Sequence, residues 1–375
     1  MITVVVPTVG RPSLRATLAA LGPDVPVIVV DDRPPGHDGP LIVVDDPAGH
    51  DGPPLVTPAH VPAGVRVVTS GGRGPAAARN AGWRAASTPW VAFLDDDVVP
   101  GPGWYQALRE DLAGLPPEAA GSQGRIEVPL PGDRRPTDAE RNTAGLAGAL
   151  WITADIAYRR ETLERVGGFD ERFPRAYRED ADLALRLTNR GHTLALGERV
   201  TVHPVRDDGF WASVRFQRGN ADDALMRRLH GPGWREAIGG TRGRLRRHAA
   251  TTALGLAAAG LGLAALLTAG RGKGRRTAFP LTAGRGNGHR TAFPLIAGRG
   301  KGRRRAFPLT ARRSPVWPAA VAGAGWVAMT AEFAWARIAP GPRTPGEVLR
   351  MAVTSVLIPP VAVAHRLRGE WKVRR

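Results

Sequence analysis

The chain has 375 residues, of which 43% are hydrophobic and 23% are charged, a composition that allows a sizeable core and excludes global disorder. It contains no cysteine, which excludes disulfide scaffolds, thiolate zinc sites and cysteine nucleophiles. The net charge of +18 is unevenly distributed. Residues 1–240 hold 27 arginines, no lysine and 31 acidic residues, whereas residues 241–375 hold 25 basic and three acidic residues. This asymmetry predicts chemistry in the first part and attachment to an anionic partner in the second.

Strands and helices are predicted to alternate along the first part of the chain. Met1–Val6 is a β-branched run too short for a signal-peptide core, so we expect a buried first strand and no secretion signal. Apolar runs predict further strands at 27–30, 65–69 and 90–94, with helices at 12–21 and 75–86. This order predicts βα units and a mainly parallel sheet, whose ligand-binding edge lies at the carboxyl ends of the strands.

Two sets of tandem repeats have a period of 14 residues. Residues 27–40 are followed by a near copy at 41–54, and three Gly/Arg-rich copies occupy 269–310. The second set is interpreted as a low-complexity linker.

Three adjacent aspartates, Asp95, Asp96 and Asp97, follow the fourth predicted strand. Carboxylates crowded at a buried strand end repel one another, and a divalent cation with oxygen ligands, Mg²⁺ or Mn²⁺, relieves the repulsion. Such a cation also stabilises a diphosphate as a leaving group. The alternative interpretation is a solvated acidic turn.

The motifs in chain order are a strand followed by Pro-Thr, a strand followed by Asp-Asp, then GGRGPAAARNAG, FLDDD, GGFDERF and REDADLALRL. This series, over about residues 1–235, resembles the inverting family 2 glycosyltransferases, which have a GT-A fold. The resemblance implies transfer of a sugar from a nucleoside-diphosphate sugar to an acceptor hydroxyl, with inversion at the anomeric carbon and a divalent metal, Mn²⁺ or Mg²⁺.

The resemblance also implies roles for individual residues on the donor side. The nucleotide-sugar set that it implies is Pro7, Thr8, Asp31, Asp32, Arg79, Asn80, Asp95 and Asp96, and the metal set is Asp97, Asp95 and His203. The first repeat leaves one alternative open, because Asp45-Asp46 ends an identical IVVDD run. The chain order favours Asp31-Asp32, since that pair follows the first helix after a short turn, as in a βαβ unit.

Downstream, the resemblance assigns the general base to Asp180 of the Glu-Asp pair. Glu179, Asp182 and Asp155 are predicted as supporting residues, the last in a segment at 151–160 expected to run from a strand into a helix. The alternative explanation for the acidic cluster at 179–182 is favourable interaction with a helix dipole.

The second part of the chain is predicted as a basic helical tail with apolar segments at 249–270, 316–336 and 348–365 and a Gly/Arg-rich linker at 269–313. The first segment is long enough to cross a bilayer, and the third is expected to be broken by Pro359-Pro360. The linker carries 13 basic and no acidic residues, which opposes its placement outside the cell. We therefore expect membrane association with the topology open; the alternative is a soluble helical pair packed on the catalytic domain.

Together, these features predict a GT-A catalytic domain at 1–240 followed by a membrane-associated tail at 241–375. They predict a metal-dependent inverting glycosyltransferase at the cytoplasmic face of the cell membrane that acts on a lipid-linked or cell-envelope glycan. A nucleic-acid-binding protein using the Arg/Gly repeats and a nucleotidyltransferase are the two competing classes. The apolar runs argue against the first, and the lack of lysine in residues 1–240 argues against the second.

Overall fold

The computed structural model describes residues 1–36, 64–273 and 316–374. Asp45-Asp46, most of the second copy of the first repeat and most of the linker at 269–313 lie outside these residues. The described part of the chain contains eight strands: β1 (Ile2–Thr8), β2 (Val27–Asp31), β3 (Val65–Thr69), β4 (Trp90–Leu94), β5 (Val99–Pro100), β6 (Ala119–Glu127), β7 (Asp155–Arg159) and β8 (Thr193–Val202).

The helices of the same part are α1 (Leu14–Leu21), α2 (Pro75–Ala85), α3 (Trp104–Ala113), α4 (Asp138–Ala144), α5 (Arg160–Val166), α6 (Glu179–Thr188), α7 (Ala212–Arg215), α8 (Asp222–His230), α9 (Trp234–Ala237), α10 (Leu245–Lys273), α11 (Val316–Ile338) and α12 (Pro345–Arg374). The predicted strand at 90–94, the strand-to-helix segment at 151–160 and the helix that begins at Glu179 are all confirmed.

The strands form one mixed sheet in the order β3-β2-β1-β4-β7-β6-β8-β5. Strands β3, β2, β1 and β4 are parallel, and β7 enters antiparallel between β4 and β6. Strand β8 then pairs parallel to β6 and antiparallel to β5. This is the mainly parallel mixed sheet, flanked by helices, that the resemblance implied.

Alternating strand residues supply two separate hydrophobic clusters, one on each face of the sheet. Val4 and Val6 of β1 pack with α1 and α3, whereas Val5 packs with α2, α5 and α6. The period of two residues explains why a continuous valine run is buried on both sides. Gly82 of α2 permits close approach to β1, because a Cβ at this position would clash with the Val5 side chain.

The chain divides into two compact units, Met1–Ala249 with Ala331–Arg375, and Ala250–Thr330. The predicted boundary at residue 240 stays a prediction, but the C-terminal helix α12 groups with the catalytic part. Its Glu347 accepts a hydrogen bond from the backbone N–H of Asp138 at 2.7 Å, at the start of α4. At its other end, Gly369 lies so close to the backbone of Ala221 that a Cβ would come within 2.5 Å of the carbonyl oxygen.

In the second unit, the described parts of α10 and α11 pack through small residues. A Cβ at Gly255 would lie 2.9 Å from the Trp326 ring, and one at Gly325 would lie 3.2 Å from Leu254. Glycine therefore allows these two helices to approach closely at both positions.

Two helices in the described ranges are long and apolar enough to cross a membrane, by length and composition: Leu245–Thr268 and Pro345–Arg374. Only 6% of the apolar window is buried in the first, compared with 33% in the second. The expectation that Pro359-Pro360 breaks the last segment is wrong, because α12 continues through both prolines. Ile358, Pro359 and Ala362 are buried, so packing outweighs the two backbone donors that the prolines lack.

Candidate active site

The carboxyl ends of β1, β2 and β4 place the predicted donor residues at one edge of the sheet. Thr8, the last residue of β1, is in register with Asp31 of β2. The Thr8 hydroxyl donates to a carboxylate oxygen of Asp96 at 2.6 Å, across 88 positions of the sequence. Parallel pairing therefore brings the Pro-Thr motif, the first Asp-Asp pair and the aspartate triplet to the same edge.

Each aspartate of the triplet has a different arginine as its nearest basic partner, and Arg11 also lies 3.8 Å from Asp97. Asp95, whose side chain is 30% exposed, accepts from Arg79 at 2.8 Å. Asp96 accepts from Arg11 at 2.9 Å, and Asp97 lies 2.9 Å from Arg206. Arg11 and Arg206 are themselves 44% and 42% exposed, so two of these partners are accessible to solvent and to ligands.

The surroundings of Asp97 suit a divalent cation. Burial, together with the Asp95 and Asp96 carboxylates, raises the pKa of Asp97, although Arg206 and His203 oppose the shift. The His203 Nε2 atom faces an Asp97 oxygen at 3.9 Å, and its Nδ1 lies 3.0 Å from the Pro204 carbonyl. The described residues contain no group of three or more His, Asp or Glu that could hold a metal. A site with two protein donors nevertheless fits Mg²⁺ or Mn²⁺, which keep waters and bind substrate phosphates.

A buried arginine connects the triplet to α6. Arg79 is 1% exposed, and it donates to Asp95 at 2.8 Å and to Glu179 at 2.6 Å. Burial disfavours the Arg79 charge, but Asp95 and Glu179 outweigh that cost, and its pKa is raised. Arg79 thereby brings together two acidic motifs that are 84 positions apart in the sequence.

The first turn of α6 presents Asp180 beside this connection. Asp180 is half-buried. Among the described residues, its carboxylate accepts one hydrogen bond, from the backbone N–H of Ala181 in the same helix, at 2.7 Å. Burial raises the pKa of Asp180, and the Asp95 carboxylate raises it further, while Arg79 and Arg178 oppose the shift. A partly accessible carboxylate with a raised pKa is suited to accept a proton near neutral pH.

The residue before this turn has a strained backbone. Arg178 has φ of 80°, in the left-handed region that non-glycine residues rarely adopt. Its guanidinium donates to Asp223 at 3.0 Å and lies over the rings of Tyr177 and Trp234. These contacts hold the conformation that starts α6 and so position Asp180.

Two predicted nucleotide-binding residues, Asn80 and Asp32, use their side-chain polar atoms in hydrogen bonds to other protein groups. Asn80 donates to the Phe169 carbonyl and to Glu171, and its carbonyl accepts from Phe169 N–H and the Trp83 ring. Asp32 accepts from the Ser70 hydroxyl at 2.7 Å and from Gly74 N–H at 3.0 Å. Both side chains are buried, so they fix the loops around the site. Asp31 is half-buried and accepts hydrogen bonds from the backbone N–H and the guanidinium of Arg33, and Pro7 is half-buried beside Thr8.

The two outer supporting carboxylates are also bound by protein groups. Asp155 is completely buried and accepts from Trp104, Arg199 and Thr201 at 2.6 to 2.7 Å. Asp182, equally buried, contacts Arg186 at 2.7 Å and His230 at 2.8 Å. Neither side chain reaches the cleft, because each is enclosed by its partners. Their role as supporting residues stays a prediction, and their partners show that they connect elements within the fold.

Sequence reasoning missed Arg11, Arg206 and Arg178. In the sequence, only their positions near the motifs could have indicated a role. Arg11 follows the end of β1, Arg206 follows His203, and Arg178 precedes the Glu-Asp pair. In a chain with 27 arginines before residue 240, position alone does not distinguish them.

A cavity of about 770 Å³ opens next to His203 and Arg206 and extends to the start of α10. Most of its charged lining is basic: it includes Arg206, Arg215, Arg218, Arg235 and Arg244. Asp208 and Asp223 also line it, and Asp223 is paired with Arg178 and Arg235. The cavity is therefore suited to an anionic group close to the aspartate triplet.

The matching family model and the curated relative each cover only part of this chain. Residues 3–143 match the family model described as "Glycosyl transferase family 2". The pre-mycofactocin glycosyltransferase of Mycobacterium tuberculosis is 33% identical over 135 residues, which are 32% of this chain and 28% of that protein. The chain thus matches less than a third of the length of this curated relative.

Two solved structures show a distant similarity. The mannosyltransferase PcManGT from Pyrobaculum calidifontis, in complex with GDP-Man and Mn²⁺, has a TM-score of 0.44 at 16% identity, over 99% of this chain and 87% of that chain. S. aureus TarS 1–349 in complex with UDP-GlcNAc has a TM-score of 0.36 at 14% identity, over 63% of this chain and 70% of that chain. The family model spans β1 to α4 and includes Arg79 and the aspartate triplet. Residues 3–143 are therefore similar to glycosyltransferase family 2, over less than half of the chain.

Proposed function

We propose that this protein is an inverting glycosyltransferase that moves a sugar from a nucleoside diphosphate to an acceptor hydroxyl. The observation that carries the proposal is the double contact of Arg79 with Asp95 and Glu179. This contact supports the proposal because it connects the motif of the candidate base with the motif of the candidate metal and diphosphate site. The match of residues 3–143 to the glycosyltransferase family 2 model supports the reaction class.

On the donor side, Thr8 and Asp31 are placed to meet the nucleoside at the carboxyl ends of β1 and β2. Asp32 and Asn80 support them by fixing the loops at Gly74 and Phe169. Asp95 and Asp96 are placed to accept from ribose or sugar hydroxyls. Arg11 and Arg206 reach the triplet from the solvent side and supply positive charge for a diphosphate.

Asp97 and His203, with Asp95 nearby, would hold Mn²⁺ or Mg²⁺ in this site. When bound, the cation neutralises charge on the departing diphosphate. Metal binding also favours the ionised form of Asp97, whose pKa is raised by burial and by the neighbouring carboxylates. Arg206 occupies one side of Asp97 and must shift to leave that oxygen free.

Asp180 is proposed to remove the proton from the acceptor hydroxyl. An inverting displacement needs a base on the face opposite the leaving group. Asp180 is the candidate, because it directly follows Glu179, which Arg79 connects to Asp95. The strained Arg178 and the buried Glu179 hold this carboxylate in position.

For the acceptor, the basic cavity beside His203 supports a lipid-linked or cell-envelope glycan that carries an anionic group. The apolar, largely exposed Leu245–Thr268 segment supports a location at the cytoplasmic face of the cell membrane. Both statements extend the motif-based prediction and rest on charge and apolar surface.

The decisive experiment compares Asp180→Asn with the unchanged protein in a panel of nucleotide sugars with Mn²⁺. We expect one donor to bind in a metal-dependent manner, and the variant to lower kcat by about 10³-fold while donor Kd changes by no more than about twofold. Glu161→Gln, at an exposed acid in the first turn of α5, is the matched control and should leave kcat unchanged. Loss of donor binding in Asp180→Asn, or a product that retains the anomeric configuration, would overturn the proposed mechanism.

A further inference from the structure

A second basic cavity lies where the end of α12 packs against the start of α8. It has a volume of about 800 Å³, and none of the aspartate triplet or Asp180 lines it. The basic side chains in its wall are Arg172, Arg175, Arg218, His365, Arg368 and Lys372. Two of them, Arg175 and Arg218, also line the first cavity.

The positive charge of this cavity is only partly compensated. Arg172 is paired with Asp170, and Arg175 is paired with Asp222, which is the one acidic residue in the cavity wall. Within the described ranges, Arg218, Arg368 and Lys372 have no acidic side chain within 4.0 Å of their charged nitrogens. Three uncompensated cations around one concave surface attract an anion with several oxygen acceptors.

The geometry of α12 adds an apolar surface next to these cations. Arg368 and Lys372 are four residues apart and share one face of the helix. Leu367 and Trp371 form an equivalent pair on the neighbouring face, and they are 64% and 54% exposed. The contact of Gly369 with Ala221 fixes this turn on the catalytic unit, so the two faces are held in place.

We propose that this cavity binds the phosphate head group of an anionic phospholipid. Arg218, Arg368 and Lys372 contact the phosphate oxygens, while Leu367 and Trp371 lie at the level of the acyl chains. A soluble phosphate would bind the three cations equally well, but it would not cover the exposed apolar surface of Leu367 and Trp371. The choice of a lipid rests on the proposed membrane location, whereas the preference for phosphate rests on the cavity alone.

The test uses the full chain and a reporter local to the cavity. Because the sequence contains no cysteine, a single Ala364→Cys substitution can be labelled selectively with a polarity-sensitive fluorophore. Ala364 is exposed, does not line the cavity and lies one turn before Arg368 on the same face. The labelled protein is titrated with phosphatidylcholine vesicles, with vesicles that also contain phosphatidylglycerol, and with inorganic phosphate. The basic linker can bind vesicles by itself, so the local signal is the readout that matters.

We expect a blue shift with phosphatidylglycerol vesicles only, and an apparent affinity about tenfold weaker in Arg368→Gln/Lys372→Gln. Arg227→Gln/Arg228→Gln removes the same charge from exposed positions on α8 outside the cavity and should titrate like the parent. An equal response in both double variants would overturn the site. Saturable phosphate binding that needs Arg368 and Lys372, without any vesicle response, would overturn the lipid and assign a soluble ligand. Donor turnover is measured in the same samples, so failure of the proposed reaction and failure of this site are distinguishable.

Discussion

Two aspartates at the ends of neighbouring strands, Asp155 and Asp97, differ in the partners that neutralise their charge. Asp155 begins β7, directly opposite the last residue of β4, and its partners Arg199, Trp104 and Thr201 are buried. Asp97 lies just beyond the end of β4, but its arginine partner is 42% exposed and comes from a loop. A carboxylate enclosed by rigid donors stabilises the fold, whereas one faced by movable cations remains available to a ligand. The quality of the partners, more than the burial of the acid, therefore separates structural from functional carboxylates.

The largest expected effect on stability comes from Asp155, the carboxylate that is enclosed by buried donors. Replacing Asp155 with alanine leaves the Arg199 guanidinium buried with Asp111 as its remaining carboxylate partner, and removes the acceptor of Trp104 and Thr201. We expect the free energy of unfolding to fall by about 3 kcal/mol, measured by chemical denaturation. Loss of donor binding without loss of stability would show that Asp155 acts at the substrate and would remove the distinction.

At Asp97, whose arginine partners are partly exposed, we expect the substitution to affect donor binding more than stability. Asp97→Ala should weaken Mn²⁺-assisted donor binding at least about tenfold, which corresponds to about 1.4 kcal/mol, as measured by calorimetry. Its stability should change by less than that of Asp155→Ala, because Arg206 can turn into solvent. If donor uptake in Asp97→Ala remains as metal-dependent as before, the cation lies elsewhere.

The sequence predicted the main strands, but it did not distinguish a carboxylate enclosed by protein donors from one that faces solvent. The apolar runs predicted β1, β2 and β4 with ends within two residues of those observed, β1 continuing through Pro7 to Thr8, and the motif order predicted that the triplet and Asp180 belong to one site. The same reasoning named Asp155 and Asp182 as supporting residues without indicating their partners, because an acidic residue near a motif looks identical whether or not buried donors surround it. Those donors, such as Arg199 and His230, lie 44 and 48 positions away, and no local pattern connects them to the acids. The continuity of α12 through Pro359-Pro360 was missed for the same reason, since it depends on packing against the catalytic unit.

The smallest expected effect is a gain in stability at Asp180. Burial raises the pKa of this carboxyl in the folded state, so the unfolded chain releases the proton at lower pH than the folded chain does. Stability therefore falls as the pH rises from the ordinary carboxyl range, about pH 4, through the raised pKa, and the cost persists near neutral pH. Asp180→Asn removes this cost and keeps an oxygen that can accept from Ala181.

We expect this variant to be more stable than the parent by about 1 kcal/mol near neutral pH, and equally stable below about pH 4. Thermal unfolding across this pH range measures the difference. Asp182→Asn, two residues along the same helix, is the matched comparison, and it should lose stability because its carboxylate binds Arg186 and His230. If both substitutions destabilise equally at neutral pH, Asp180 is a structural acid like Asp182, and its raised pKa has no part in catalysis.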